Sequence, residues 1–130
     1  MKDGFTPGIS ASIETEVTPD RLPVLEGQEV FPVLPTAELV RFMELACRKL
    51  IMPYLEPDEE ALGVEITVKH LATCGVGKTV TTTAELTDFR HHQARFDVAS
   101  FDGDRLLGTS VHIQRVMDKQ RAIAAFQAGC

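Results

Sequence analysis

The chain has 130 residues, the size of one domain. With 44% hydrophobic and 25% charged residues its composition is globular, which excludes disorder or a low-complexity repeat as its theme. Thirteen basic against nineteen acidic residues give a formal charge of −6, which weighs against nucleic acid as a partner and requires local cations or backbone donors for any anionic ligand. No apolar run reaches the ~20 residues of a membrane-spanning helix, and no apolar stretch follows Lys2 as in a secretory signal. Cys47, Cys74 and Cys130 share no metal-ligand spacing. A reduced, cytoplasmic setting with no membrane contact and no metal is expected.

Residues 1–11 are short and mixed and are expected to lie loosely on the surface. From 12 to 17 the chain alternates, with Ile13, Thr15 and Val17 on one side and Glu14 and Glu16 on the other, a strand of period two. Four prolines between 19 and 35 predict an irregular excursion. Pro35 and Thr36 then open a helix over 36–54, with Thr36 as N-cap and Glu38 in the first turn. Leu39, Val40, Phe42, Met43, Ala46, Cys47, Leu50 and Ile51 form its apolar stripe. Pro53 and Pro57 end it, and Asp58, Glu59 and Glu60 make an acidic turn.

After Gly63 the period changes. Val64, Ile66 and Val68 alternate with Glu65, Thr67 and Lys69, a strand with one buried face. A turn at 74–77, a β-branched strand over 79–86, a strand around 96–100, a hairpin at Asp102-Gly103-Asp104, a long strand over 106–116 and a short helix over 119–127 follow. The fold class is α+β: one long helix against a curved antiparallel sheet of about five strands. The chain reads as a single domain, with 1–11 and 118–130 peripheral.

Three polar residues break the apolar pattern. His70 continues the row Val64, Ile66, Val68. Either the strand has ended and the ring meets a loop carbonyl, or a near-neutral titrating group has been placed in a buried row. Glu44 lies at the margin of the helix stripe, either as an i,i+4 partner of Arg48 or as a base brought opposite that histidine. Thr36 is either an ordinary cap or a hydroxyl beside free helix amides, the parts that hold a developing oxyanion. His91-His92 at a hairpin turn lacks a third ligand in reach. Gly75-Val76-Gly77-Lys78 joins two strands and so is no phosphate loop.

Pro35-Thr36-Ala37-Glu38-Leu39, Met43-Glu44-Leu45-Ala46-Cys47 and Pro53-Tyr54-Leu55-Glu56-Pro57 resemble the central helix of the fluoroacetyl-CoA-thioesterase-like group of hot-dog proteins. Gly63 to Ala72 is similar to that group's following strand, and the resemblance continues through Ala84-Glu85-Leu86, Asp102-Gly103 and Leu107-Gly108 to His112. It implies a hot dog fold, a homodimer or dimer of dimers with acyl-CoA sites at the subunit interface, and catalytic Thr, Glu and His at Thr36, Glu44 and His70. It also places Gly63 near the acyl group. An arginine usual in the group's last strand is replaced by Gln114, with Arg115 next along, which on a strand turns the guanidinium to the other face. Phe31 stands for one lid aromatic, in a segment from 27 to 34 that looks shortened or rebuilt, so selectivity for a fluorinated acyl group does not carry over.

The expected activity is hydrolysis of a small or medium acyl-CoA to carboxylate and CoA, without a cofactor. Glu44 is nucleophile or general base, His70 protonates the leaving thiolate, and Thr36 polarises the carbonyl. Arg90, Arg95, Lys69 and Lys78 are candidates for the CoA phosphates. The competing readings are an acyl-CoA-binding module without turnover, kept open by Gln114, and a hot-dog enoyl-CoA hydratase or dehydratase.

Overall fold

Strand-forming residues between 79 and 118 give three long strands joined by two-residue turns, and these build the body of the molecule. The computed structural model describes residues 1–22, 24–25, 28–29 and 31–129. Its elements are β1 (Ser10–Glu16), β2 (Val24–Leu25), β3 (Gln28–Glu29), α1 (Thr36–Ile51), β4 (Glu59–His70), β5 (Thr79–Arg90), β6 (Gln93–Asp102), β7 (Arg105–Asp118) and α2 (Lys119–Gly129). Five strands form one antiparallel sheet in the order β1-β5-β6-β7-β4, and β2 and β3 pair in a small ribbon within the proline-rich excursion. His91 and His92 turn the β5–β6 hairpin with φ of 53° and 62°, a left-handed pair that residues with a Cβ adopt only under strain.

The helix lies across one face of the sheet. Leu39, Phe42, Met43, Ala46, Cys47, Leu50 and Ile51 are its buried residues, and they meet the inward rows Val80, Ala84 and Leu86 of β5 and Ala94, Phe96 and Val98 of β6. Each large side chain so buried contributes roughly 1.5–3 kcal/mol. Thr82 and Ser100 also lie in these rows, and their hydroxyls satisfy each other at 2.8 Å. Gly108 of β7 has no room for a side chain between β4 and the helix: a Cβ there would stand 2.7 Å from the Lys69 carbonyl oxygen and 3.0 Å from Leu39 Cδ2.

Several expectations change. The α-helix ends at Ile51 and Met52–Tyr54 is a 3-10 turn, because Pro53 has no amide to extend the α-helical ladder. Pro35, not Thr36, is the N-cap, and Thr36 is the first helical residue. Residues 1–11 are not loose throughout: Phe5 is buried, with its ring 5.4 Å from that of Tyr54 and 5.0 Å from that of Phe89. Glu59 and Glu60 belong to β4 and not to a turn; Arg48 binds Glu60 instead of Glu44.

β4 departs most. Its register against β7 shifts between Gly63 and Glu65, a bulge that leaves Val64 out of the pairing. Ala61, Gly63, Ile66, Val68 and His70 therefore share the inward side, and Val64 leaves the row assigned to it. The row is also not buried in a single chain: β4 is the sheet's edge, with Leu62 51%, Val64 50% and Ile66 38% exposed. The opposite edge, β1, pairs with β5 on one side and exposes polar Ser12, Glu14 and Glu16, a composition that discourages further strand pairing.

Candidate active site

The polar residues singled out above occupy two places along the helix–sheet seam. The first is the helix N-terminus. Leu34 N–H donates to the Cys74 carbonyl at 2.8 Å, Thr73 Oγ1 donates to the Leu34 carbonyl at 2.9 Å, and Val33 bridges to Gly75. These bonds lace the chain entering α1 to the loop leaving β4, so the helix start and the strand end meet. There Thr36 Oγ1 lies 2.8 Å from His70 Nδ1. The hydroxyl is thus a partner of the imidazole and makes no side-chain cap bond, while the first-turn amides of α1 remain free beside it. His70 Nε2 is buried and has no partner among the described residues.

The second place lies two turns further along α1. Glu44 projects, exposed, at the seam between α1 and β4. A Cβ placed on Gly63 would lie 3.2 Å from His112 Nε2 and 3.5 Å from Glu44 Oε1; the missing side chain leaves a notch walled by an imidazole and a carboxylate. Glu44 and Gly63 line two adjoining clefts, one of about 280 Å³ with Arg41, Leu45 and Gln114, the other of about 310 Å³ with Val40, Ile66 and His112. A larger hollow, about 700 Å³, lies against the sheet's other face, among Thr67, Thr83 and Thr109, and holds none of the expected catalytic residues.

His112 and Gln114 are 3% exposed, with Gln114 Nε2 3.4 Å from His112 Nε2. Burial pushes the His112 pKa below its ordinary value, and the Glu44 charge pulls partly the other way; the ring is held neutral. The Cys47 thiol, buried under the same helix, is pushed up to about 12 by burial and then by Glu44, so it is a packed thiol and not a nucleophile. Arg115 is exposed beside buried Gln114, the opposite facing expected for neighbours on a strand.

The structure brings Thr36 to His70 and Glu44 to Gly63 and Gln114. It does not bring Glu44 to His70 within one chain: eight residues of helix separate Thr36 from Glu44, about 12 Å at 1.5 Å per residue. Glu44 faces His112 instead. His112 carried no role in the sequence reading, although its signal was available, since Ser110, His112 and Gln114 alternate in step with buried Val116 as His70 does with Val68. Phe31 is 65% exposed and lines neither cleft. Gly27 and Val30 of the rebuilt lid segment lie outside the described residues. Among the described residues no cluster of three or more His, Cys, Asp or Glu side chains could hold a metal ion, and no helix is long and apolar enough to cross a membrane.

A hydroxyl–imidazole pair at a helix N-terminus and a carboxylate facing a neutral imidazole are parts suited to acyl transfer. Residues 17–120 match the fluoroacetyl-CoA-specific thioesterase family. The fluoroacetyl-CoA thioesterase of Streptantibioticus cattleyicolor is 34% identical over 127 residues, 93% of this chain and 91% of that one. A solved thioesterase-superfamily protein of Thermus thermophilus superposes with a TM-score of 0.92 at 30% identity, covering 97% of this chain and 93% of the other. A structure of a fluoroacetyl-CoA thioesterase gives 0.90 at 30% identity, with 98% and 99% covered. A hot-dog-like protein of Thermanaerovibrio acidaminovorans, 16% identical, shares the fold at 0.84 over 94% and 90% of the two chains. The α+β hot dog expected from the sequence is the fold found.

Proposed function

The chain belongs to the fluoroacetyl-CoA-specific thioesterase family and is a thioester hydrolase, and from that premise we propose that it hydrolyses a small or medium acyl-CoA, without a cofactor, at a site shared between two copies of the chain. The observation that carries the shared site is the separation of the two clusters along one seam, combined with an apolar unpaired edge between them. Leu62, Val64 and Ile66 on β4 are suited to antiparallel pairing with a second β4. A two-fold axis near Ile66 sets Leu62 and Gly63 of one copy across from the region of the partner's His70. Each site then takes Thr36 and His70 from one chain and Glu44, Gly63 and Gln114 from the other.

In this site Glu44 serves as nucleophile or as general base for water, His70 delivers a proton to the departing CoA sulfur, and Thr36 with the helix amides polarises the carbonyl. Gly63 leaves room for the acyl group, and Gln114 lines its cleft. Phe31, exposed in one chain, is assigned to the mouth of the site. Arg41 joins Arg90, Arg95, Lys69 and Lys78 as a candidate for the CoA phosphates, because it borders the Glu44 cleft.

Release of free thiol from a panel of acyl-CoA esters tests the activity and identifies the acyl group; Glu44→Ala and His70→Ala should each abolish turnover, and undiminished turnover in both sinks the mechanism. Full binding without thiol release would mark a binding module, and an enoyl product a hydratase. Mixing inactive His70→Ala with inactive Glu44→Ala tests the shared site. Random re-association leaves half the dimers mixed, each with one intact site, so about a quarter of wild-type activity returns. No return refutes sharing.

A further inference from the structure

Between Gly108 and Val116 the inward positions of β7 are Ser110, His112 and Gln114, all of them buried. Val116 shows that an aliphatic side chain fits this row. Each of the three instead keeps a buried polar atom with no partner among the described residues: Ser110 Oγ, His112 Nδ1 and Gln114 Oε1. Alkyl side chains would carry no such penalty, so an unsatisfied polar row beneath the helix calls for a functional account. His112 and Gln114 are the members of that row that line the two clefts meeting at Gly63.

The Gln114 amide stands at the notch. Its Nε2 lies 3.4 Å from His112 Nε2, the atom that a Cβ on Gly63 would approach to 3.2 Å. One edge of the amide is thus spent on the imidazole and the other is not. With Nε2 toward the ring the open edge is the acceptor Oε1; with the amide turned over it is the N–H pair. A hydroxyl, donor and acceptor at once, satisfies either edge, and an alkyl group satisfies neither. Contact at 3.4 Å is long for a hydrogen bond, so the amide can turn its open edge to a ligand. Charge narrows the choice further. Glu44 Oε1 would stand 3.5 Å from the same added Cβ, so a carboxylate on the acyl group would meet a like charge. Of the arginines bordering the cleft, Arg48 is paired with Glu60, and Arg41, 3.7 Å from Glu38, is 55% exposed; neither is a buried counter-charge. The buried His112 ring is neutral as well.

We propose that Gln114, backed by His112, is a specificity-determining residue: among small acyl groups it selects those bearing a neutral hydroxyl on the first or second carbon beyond the thioester carbonyl, over their unsubstituted or carboxylated counterparts. The inference rests on the thioesterase reading of the same site. The acyl chain lies over Gly63, where the missing side chain leaves its space, and its hydroxyl meets the open edge of the amide. An ester without the hydroxyl leaves that edge unpaired once the cleft is filled, so the discrimination is expressed in kcat/KM.

Thiol release by the wild type reads the preference directly, with hydroxyacetyl-CoA against acetyl-CoA and 3-hydroxybutyryl-CoA against butyryl-CoA. At least one hydroxylated ester should exceed its parent about 10-fold in kcat/KM, and malonyl-CoA should be slower than acetyl-CoA. Ratios under about threefold in both pairs overturn the proposal, and so does malonyl-CoA turned over as fast as the preferred hydroxylated ester. Gln114→Met and Gln114→Leu remove the amide together with its orphaned oxygen. Their melting temperatures should equal or exceed that of the wild type, while the ratio of hydroxylated to parent ester falls to within about twofold of unity. A folded variant that keeps the wild-type ratio overturns the assignment to Gln114. Failure of the parent reading looks different: no thiol release from any ester by the wild type overturns both, whereas equal release from hydroxylated and plain esters overturns this inference alone.

Discussion

Gly63→Ala isolates the notch. The added methyl would stand 3.2 Å from His112 Nε2 and 3.5 Å from Glu44 Oε1. Gly63 does not adopt a left-handed backbone, so alanine brings no conformational strain. The Glu44 side chain is exposed and can swing aside, and the imidazole needs to move only a few tenths of an ångström. The stability cost should therefore stay near the lower end of overpacking, about 1 kcal/mol, or about 3–5 °C in Tm for a chain of this size. Activity should fall far more, because the methyl occupies the space between the carboxylate and the imidazole; displacing a reacting group by about 1 Å can cost 100-fold in kcat/KM. Gly108→Ala supplies the contrast. Its Cβ would meet a backbone oxygen, that of Lys69, at 2.7 Å as well as Leu39 at 3.0 Å; the carbonyl can yield only if β4 shifts against β7, so it should lose about 3 kcal/mol or more. Thiol release and thermal melting of the two variants decide the matter. A Gly63→Ala protein with wild-type kcat/KM would refute the assignment of the site to this notch.

Thr36→Ser should retain most of the activity, while Thr36→Val, which removes the partner of His70 Nδ1, should lower kcat/KM about 10-fold, measured by thiol release. Because burial lowers the His112 pKa from 6.5, the unfolded chain binds a proton at that ring before the folded one does. Its contribution to stability is therefore complete above pH 6.5 and declines as pH falls from there to the folded value; urea titrations at pH 7.5 and 5.5 should show the decline, and His112→Phe should reduce it. Cys47, with its thiol pushed up to about 12, should resist iodoacetamide at pH 8 in the native state and react in urea, as followed by mass spectrometry.

Periodicity alone made most of the architecture legible. The Leu39-to-Ile51 stripe specifies a helix with one buried face, and the two-residue alternation of 79–118 specifies antiparallel strands, because both patterns are short-range consequences of backbone geometry. Glu44 and His70 were likewise visible as polar residues on apolar faces. Pattern left Thr36 between a cap and a functional hydroxyl, because capping and side-chain bonding across the fold place the same residue type at the same position; the lacing of Leu34 to Cys74 and Thr73, which sets Thr36 beside His70, separates the two.

The bulge at Gly63 lay beyond sequence reasoning, since one unpaired residue changes which side chains face inward without changing composition. That single register shift turns Val64 out of the row and sets Gly63 under Glu44. Which histidine faces which acid was equally undecided by pattern, because it depends on how far the helix has advanced along the sheet. The sequence by itself determined a helix, a five-stranded sheet and a set of polar residues out of place on their faces. Only the tertiary structure sorted that set into Thr36 with His70 and Glu44 with His112, because distance across a seam is fixed by the packing of two elements and not by the spacing within either.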